Sequence, residues 1–202
     1  AGDILCFAGA GEGIFIAMQV LLKPRDHAIV LTPNYQSAET VPLSICDVSG
    51  VALDATQGWT LDVNRLRDAI RPNTRLVSIN FPNNPTGVIP TGETLREIID
   101  LCREKDLWLF SDEVYRGVET DPSRRIAQVA DIYEQGLSLN VMSKAYGLPG
   151  LRIGWIACRN RDLLVRMEHY KHYLSICNSA PSETLARIAL GARRTILDKT
   201  VD

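Results

Sequence analysis

The chain has 202 residues, 46% of them hydrophobic and 23% charged, a balance suited to one sizeable, well-buried α/β core. A net charge of −2 and a pI near 6.0 argue against a general binder of nucleic acid or membrane surface, and no apolar run approaches the ~18 residues of a membrane span. The five cysteines (Cys6, Cys46, Cys102, Cys158, Cys177) are scattered, never spaced C-x-x-C, and read as reduced core thiols of a cytoplasmic protein.

Gly2-Asp3-Ile4-Leu5 runs almost directly into Gly9-Ala10-Gly11-Glu12-Gly13, which opens a helix with Ile14, Met18, Leu21 and Leu22 on one face. Lys23-Pro24 ends that helix. Glycines at a helix start free backbone N–H groups for an anion, which the helix dipole also favours. A dinucleotide fingerprint would need glycine at position 14, where Ile14 stands. The loop is thus a phosphate cup or an ordinary glycine turn, and as a cup it requires Glu12 to point away.

Ala28 to Leu31 reads as a strand ended by Thr32-Pro33-Asn34-Tyr35, where Tyr35 either stacks on a flat ring or is a plain tyrosine. A second strand covers part of Ile45 to Leu53. Leu61 to Ile70 is an amphipathic helix with Leu66, Ala69 and Ile70 inward, and Leu76 to Ile79 is the next strand. That strand runs into Asn80-Phe81-Pro82-Asn83-Asn84-Pro85-Thr86-Gly87, a rigid turn at a strand's carboxyl end, where α/β sheets place ligand groups. Thr91 caps a helix carrying Leu95, Ile98, Ile99 and Cys102.

Leu107 to Phe110 has the continuous apolar character of a central parallel strand, and it ends in Ser111-Asp112-Glu113-Val114-Tyr115. A carboxylate directly after a buried strand needs a cation or several donors. Asp112 is therefore the partner of a protonated pyridine nitrogen, or else a helix N-cap. Residues 118–136 read as a variable helical connection.

Leu137 to Met142 is the strand that delivers Lys144, followed by two glycines, Pro149 and, eight residues on, Arg152. A lysine carried into an interior is costly unless its amine, kept neutral, attacks an aldehyde, and an arginine fork nearby suits a phosphate. The alternative is a solvated loop lysine. Ile153 to Cys158 is a further strand. Leu163, Leu164, Met167 and Leu174 indicate a long helix, on which His169 and His172 read as a solvated face rather than metal ligands. Pro181 and Ser182 start a last helix with Leu185, Ile188 and Ala189 inward. Both ends of the chain read as cut from something longer.

Asn84-Pro85-Thr86-Gly87, Ser111-Asp112-Glu113-Val114-Tyr115 and Ser143-Lys144 with Arg152, standing in this order, resemble the class I/II aminotransferases, the fold-type-I pyridoxal phosphate enzymes. The resemblance implies a three-layer α/β/α domain with a mostly parallel sheet. Residues 1–202 would be the large, cofactor-binding domain, without the family's N-terminal arm and C-terminal small domain. It implies pyridoxal 5′-phosphate as cofactor, an amino acid and a 2-oxo acid as substrates, and a homodimer. Lys144 matches the Schiff-base lysine and Asp112 the partner of the ring nitrogen. Asn84 and Tyr115 match the donors to the ring oxygen, and Tyr35 matches the stacking aromatic. Gly9, Ala10 and Gly11 match the phosphate-binding backbone, Arg152 matches the phosphate arginine, and Ser143 is a further phosphate ligand. Val141 departs from the pattern, standing where many members carry a phosphate-binding serine. A lyase or cyclase of the same fold, or a truncated non-catalytic cofactor-binding domain, shares these features. The resemblance also implies a cis Asn84–Pro85 peptide, with Thr32–Pro33 a second candidate.

Overall fold

The computed structural model describes residues 2–201. In chain order its elements are strand β1 (Ile4–Phe7), helix α1 (Ala10–Leu21), β2 (His27–Thr32), α2 (Ser37–Leu43), β3 (Asp47–Ala52), α3 (Val63–Asp68), β4 (Thr74–Asn80), α4 (Gly92–Glu104), β5 (Trp108–Asp112), α5 (Val129–Ile132), β6 (Gly136–Val141), β7 (Gly154–Ala157), α6 (Arg161–Lys171), α7 (Ala180–Gly191) and α8 (Arg193–Val201).

The strands form one sheet in the order β1-β7-β6-β5-β4-β2-β3. From β3 to β6 every pairing is parallel, whereas β7 runs against both β6 and β1. β1 therefore shares the direction of the parallel strands and β7 alone opposes them. α1 and α6 cover one face, where Ile14, Met18, Phe110 and Leu139 are buried together. α3, α4 and α5 cover the other, around Leu66, Ile98, Leu109 and Tyr133. With both faces covered, β5 and β6 are buried at every residue, which is why they read as unbroken apolar runs. A third cluster packs Ala186 and Ala189 of α7 against Met142 and Ile153, on either side of the lysine loop. The three-layer, mainly parallel architecture expected from the sequence is the one observed.

Local structure departs from the sequence pattern in several places. Residues 4–7 are an edge strand rather than a lead-in; only Phe7 of the four is buried, so no alternation marks it. α2 was not foreseen, because it buries only Pro42, in its own last turn. The helix expected over 61–70 is the shorter α3, with Leu66 buried and Ala69 and Ile70 half-buried. The 118–136 connection holds one 3-10 turn, Pro122–Arg124, and the four-residue α5. α6 stops at Lys171, whose carbonyl accepts from both Leu174 and Ile176, and Leu174 is left exposed. α7 turns Ala186 and Ala189 inward and leaves Leu185 and Ile188 51% and 64% exposed, because it lies close over the Pro149–Leu151 turn. Cys46, Cys102 and Cys158 are core thiols as expected, but Cys6 and Cys177 are exposed. Thr91 does cap α4, its Oγ1 accepting from Thr94 N at 3.0 Å.

Candidate active site

Strand direction gathers the site. The carboxyl ends of β1, β2, β4, β5 and β6 meet the amino end of β7 along one edge of the sheet. Register aligns Asn80 with Asp112, Asp112 with Leu139, and Gly154 with both Val141 and Phe7. The residues that follow these strand ends enclose a cleft of about 380 Å³. Ala10, Gly11, Tyr35, Asn84, Asp112, Tyr115, Ser143, Lys144 and Arg152 all line it, with Ser37, Asn80 and Val141 among the others. Gly9 lies just behind the lining.

Asp112 forms the floor and is 8% exposed. Its Oδ1 accepts from Val114 N at 3.2 Å, and no cation forms a salt bridge with it among the described residues. Burial pushes its carboxyl up from 3.8 to about 6, against the pull of the Val114 amide; neighbouring Glu113 adds to the rise and Lys144 opposes it. Such a carboxylate is incomplete without a cationic ligand group. Glu113, also buried, faces the opposite way and accepts from Ser138 Oγ at 2.7 Å and Val129 N at 3.0 Å.

The turn after β4 holds Asn84 over this floor. Asn80 Oδ1 accepts from Asn84 N at 2.8 Å while its Nδ2 donates to the Asp112 carbonyl at 2.9 Å. Asn83 Oδ1 accepts from Thr86 Oγ1 at 2.7 Å, closing the turn. Asn84–Pro85 and Thr32–Pro33 are both cis, and so is Phe81–Pro82, which was not expected. Asn84 Nδ2 reaches Tyr115 Oη at 3.4 Å, so two hydrogen-bonding groups converge on one side of the cleft.

At the opposite end, α1 begins without a side-chain cap, and Ala10 and Gly11, whose N–H groups fall in the first turn where no intrahelical partner exists, line the cleft at the positive end of the helix. Gly9 has φ 90°, and a Cβ there would stand 2.3 Å from Arg152 Nη2. Only glycine lets the guanidinium close on this loop. Arg152 itself holds φ 53°, and its Nη1 donates to Pro149 O at 3.1 Å and Ser143 Oγ at 3.4 Å. A Cβ at Gly154 would lie 3.0 Å from the Gly9 carbonyl carbon, so β7 also needs glycine at this point. Glu12 points away from the cleft, its Oε2 accepting from Ala8 N at 2.6 Å.

Lys144 is where the expectation and the structure part. Its side chain is exposed at the mouth of the cleft, with Nζ 5.5 Å from the centre of the Tyr115 ring, instead of being carried into the interior. Buried Met142 ends the apolar path, and the chain then turns outward through Ser143.

Sequence reasoning missed three contributors. Asn80 carried the same signal as Asp112, a polar residue closing an apolar strand. Gly154 lay inside an apolar run, the mark of a close backbone approach. Ser37, whose Oγ is buried beside the cleft without a hydrogen-bond partner, had no sequence signal. Together the cleft offers a buried anion, two groups able to hydrogen-bond a ring substituent, an anion cup and an amine.

The family described as aminotransferase class I and II matches residues 1–199. The alanine aminotransferase of Mycobacterium tuberculosis is 30% identical over 97% of this chain and 47% of its own length. The glutamate-pyruvate aminotransferase of Escherichia coli is 31% identical over 96% of this chain and 49% of its own. The structure of a PLP-dependent aminotransferase from Streptococcus suis superposes with a TM-score of 0.92 at 32% identity, covering 98% of this chain and 52% of that one. The chain spans about half the length of the curated relatives it matches. A match running through nearly every element that builds the cleft leaves one conclusion: the chain belongs to the class I and II aminotransferase family.

Proposed function

We propose that the chain is the cofactor-binding part of a pyridoxal 5′-phosphate-dependent aminotransferase, which moves an amino group between an amino acid and a 2-oxo acid. The observation that carries the reading is Asp112, a buried carboxylate that forms no salt bridge among the described residues, on the floor of a cleft whose mouth holds Lys144. The cradle fits the cofactor at both ends: a cationic ring nitrogen completes Asp112, and a phosphate suits the free α1 amides, Ser143 and Arg152. Bound there, the cofactor supplies an electron sink that makes the Cα–H bond of an amino acid labile.

Each residue has a task in this scheme. Asp112 keeps the ring nitrogen protonated by its charge. Asn84 and Tyr115, which meet on one side of the cleft, would hydrogen-bond the ring oxygen, and Tyr35, on the loop after β2, would cover the ring. Lys144 Nζ would hold the cofactor through its aldehyde carbon, with loss of water, and once displaced there by the substrate's own amine it would be free to take and return the substrate Cα proton, which its place at the mouth allows. Among the described residues lining the cleft, Lys144 and Arg152 are the only cations, and both have tasks. The group that grips a substrate carboxylate is then supplied from outside these residues. We therefore propose residues 1–202 as a large domain working with a small domain and a second subunit in a cytoplasmic homodimer, and inactive or nearly so by itself.

The test is chemical labelling. Incubation with pyridoxal 5′-phosphate, borohydride reduction and digestion should leave the cofactor's mass on the peptide containing Lys144. Attachment to another lysine, with Lys144 untouched, refutes the assignment.

A further inference from the structure

Behind the cup, on the side away from the cleft, lies a mostly buried polar cluster around Glu12 and Lys171. Glu12 stands in the first turn of α1 with its side chain 11% exposed. The oxygen that accepts from Ala8 N at 2.6 Å is also 3.6 Å from Lys171 Nζ, on a side chain 7% exposed at the end of α6. Lys171 Nζ donates further to Ser175 Oγ at 2.5 Å and Asn178 Oδ1 at 3.1 Å. Asn178 Nδ2 in turn donates to Glu183 Oε1 on α7 at 3.3 Å.

A lysine buried this far is costly unless it is paired and hydrogen-bonded, so its placement calls for a cause. Glu12 reaches back to an amide ahead of its own helix, as the glutamate of a capping box does. The amide it holds belongs to Ala8, immediately before Gly9 and the cleft-lining Ala10 and Gly11. The helix start favours a carboxylate there, but an anionic ligand at the same helix start meets its repulsion. Lys171 stands against Glu12 from the far side and offsets that charge.

We infer that Glu12 and Lys171 are a positioning pair for the phosphate cup: Glu12 pins the Ala8 backbone, and Lys171 cancels the charge that would otherwise repel the ligand's phosphate. Neither residue touches the ligand. The inference rests on the cofactor reading proposed above.

The test compares pyridoxal 5′-phosphate with phosphate-free pyridoxal on the 202-residue chain, following the Ala10 and Gly11 amide NMR shifts, which report even millimolar binding. Pyridoxal also closes on its aldehyde as a hemiacetal, a difference common to every variant, so the change in the ratio of the two dissociation constants from parent to variant isolates the phosphate. Lys171→Met should lower the preference for the phosphorylated form about tenfold, by Coulomb repulsion from an unbalanced Glu12. Glu12→Gln keeps an acceptor for Ala8 and should raise the preference, and the double variant should return to within about threefold of the parent if the two charges cancel. A merely structural pair would weaken both ligands alike, leaving the ratio unmoved in both single variants, and that result overturns the inference. If Lys171→Met does not fold, Glu12→Gln decides alone: a ratio that fails to rise overturns it. A parent chain that binds pyridoxal 5′-phosphate no better than pyridoxal overturns the cofactor reading as well, whereas a clear parent preference with unmoved variants overturns only the pair.

Discussion

Replacing Asp112 by asparagine should make the cofactor-free chain more stable at neutral pH while stripping the site of its electronic function. The carboxyl is raised from 3.8 to about 6, chiefly by burial. At about 1.4 kcal/mol per unit, the ionised form costs the fold about 3 kcal/mol. The sign follows from proton binding. Because the folded pKa lies above the unfolded one, the favourable contribution is complete below about pH 4 and is lost as pH rises through about 6. Asparagine has the same shape, keeps an oxygen for the Val114 amide and does not ionise. The variant should therefore gain about 2–3 kcal/mol over the parent at pH 7, or roughly 5–10 °C in Tm for a chain of this size, and show little advantage near pH 4.

Urea or thermal melts of both proteins across about pH 4 to 8 measure this directly. Titrating groups remote from Asp112 are common to both proteins and drop out of the difference, whereas Glu113, whose charge adds to the Asp112 rise, shifts along with it. A flat difference across that range, or a variant less stable than the parent at pH 7, would refute the reasoning from desolvation. Saturating pyridoxal 5′-phosphate should shrink the gap, since the cationic ring nitrogen stabilises the parent's carboxylate and has nothing equivalent to meet in the amide. In a complete enzyme the same substitution should cost at least about 10²-fold in kcat, because a neutral amide does not hold the ring nitrogen protonated.

Three further outcomes are expected. Gly9→Ala places a Cβ 2.3 Å from Arg152 Nη2 at a φ of 90°, so it should destabilise by about 1–3 kcal/mol and weaken binding of the phosphorylated cofactor far more than that of pyridoxal; unchanged binding would remove Arg152 from the cup. Tyr115→Phe and Asn84→Ala each remove one partner from the cleft side where the two meet at 3.4 Å, and both should shift the pH at which the bound cofactor's absorbance changes, in the same direction; a shift in only one would separate their roles. Tyr133→Phe removes a buried hydroxyl that donates to the Leu107 carbonyl at 2.6 Å on the far face of the sheet, and should cost about 1–3 kcal/mol in melts while leaving cofactor affinity unaltered.

What the sequence discloses follows from what is physically expensive. A charged or amide residue closing an apolar strand is conspicuous, so Asp112 and the Asn84 turn are legible, as are the parallel strands that present them. α1 is legible because its apolar face repeats at helical spacing. β1 and α2 are not, for each buries a single residue, and their form comes from pairing with β7 or from capping the sheet edge. The α7 face misleads for a related reason. Periodicity picks out its largest apolar side chains, but the space over the Pro149–Leu151 turn admits alanine, so Leu185 and Ile188 face out. The direction of Lys144 is beyond sequence altogether: the same residues after β6 serve a lysine that dives inward or one that turns toward the mouth.

That last difference sets how the site works. Asn80 and Asn83 hold the Asn84 turn and Asp112 is fixed by its strand, all through contacts within the chain itself. The ring end of the cleft is therefore built in advance, and a ligand there meets ordered partners at little entropic cost. At the amine end Lys144 is an exposed side chain that gives up as much as about 2 kcal/mol of rotamer freedom when it engages, whereas Arg152, also exposed, is already held by Pro149 O and Ser143 Oγ. Ring contacts should then dominate affinity in the chain alone, while covering the mouth from outside would order Lys144 and desolvate both its amine and the Arg152 guanidinium. Aldehyde capture by Lys144 and retention of the phosphate should strengthen in parallel when the mouth is covered, because one change of environment acts on both.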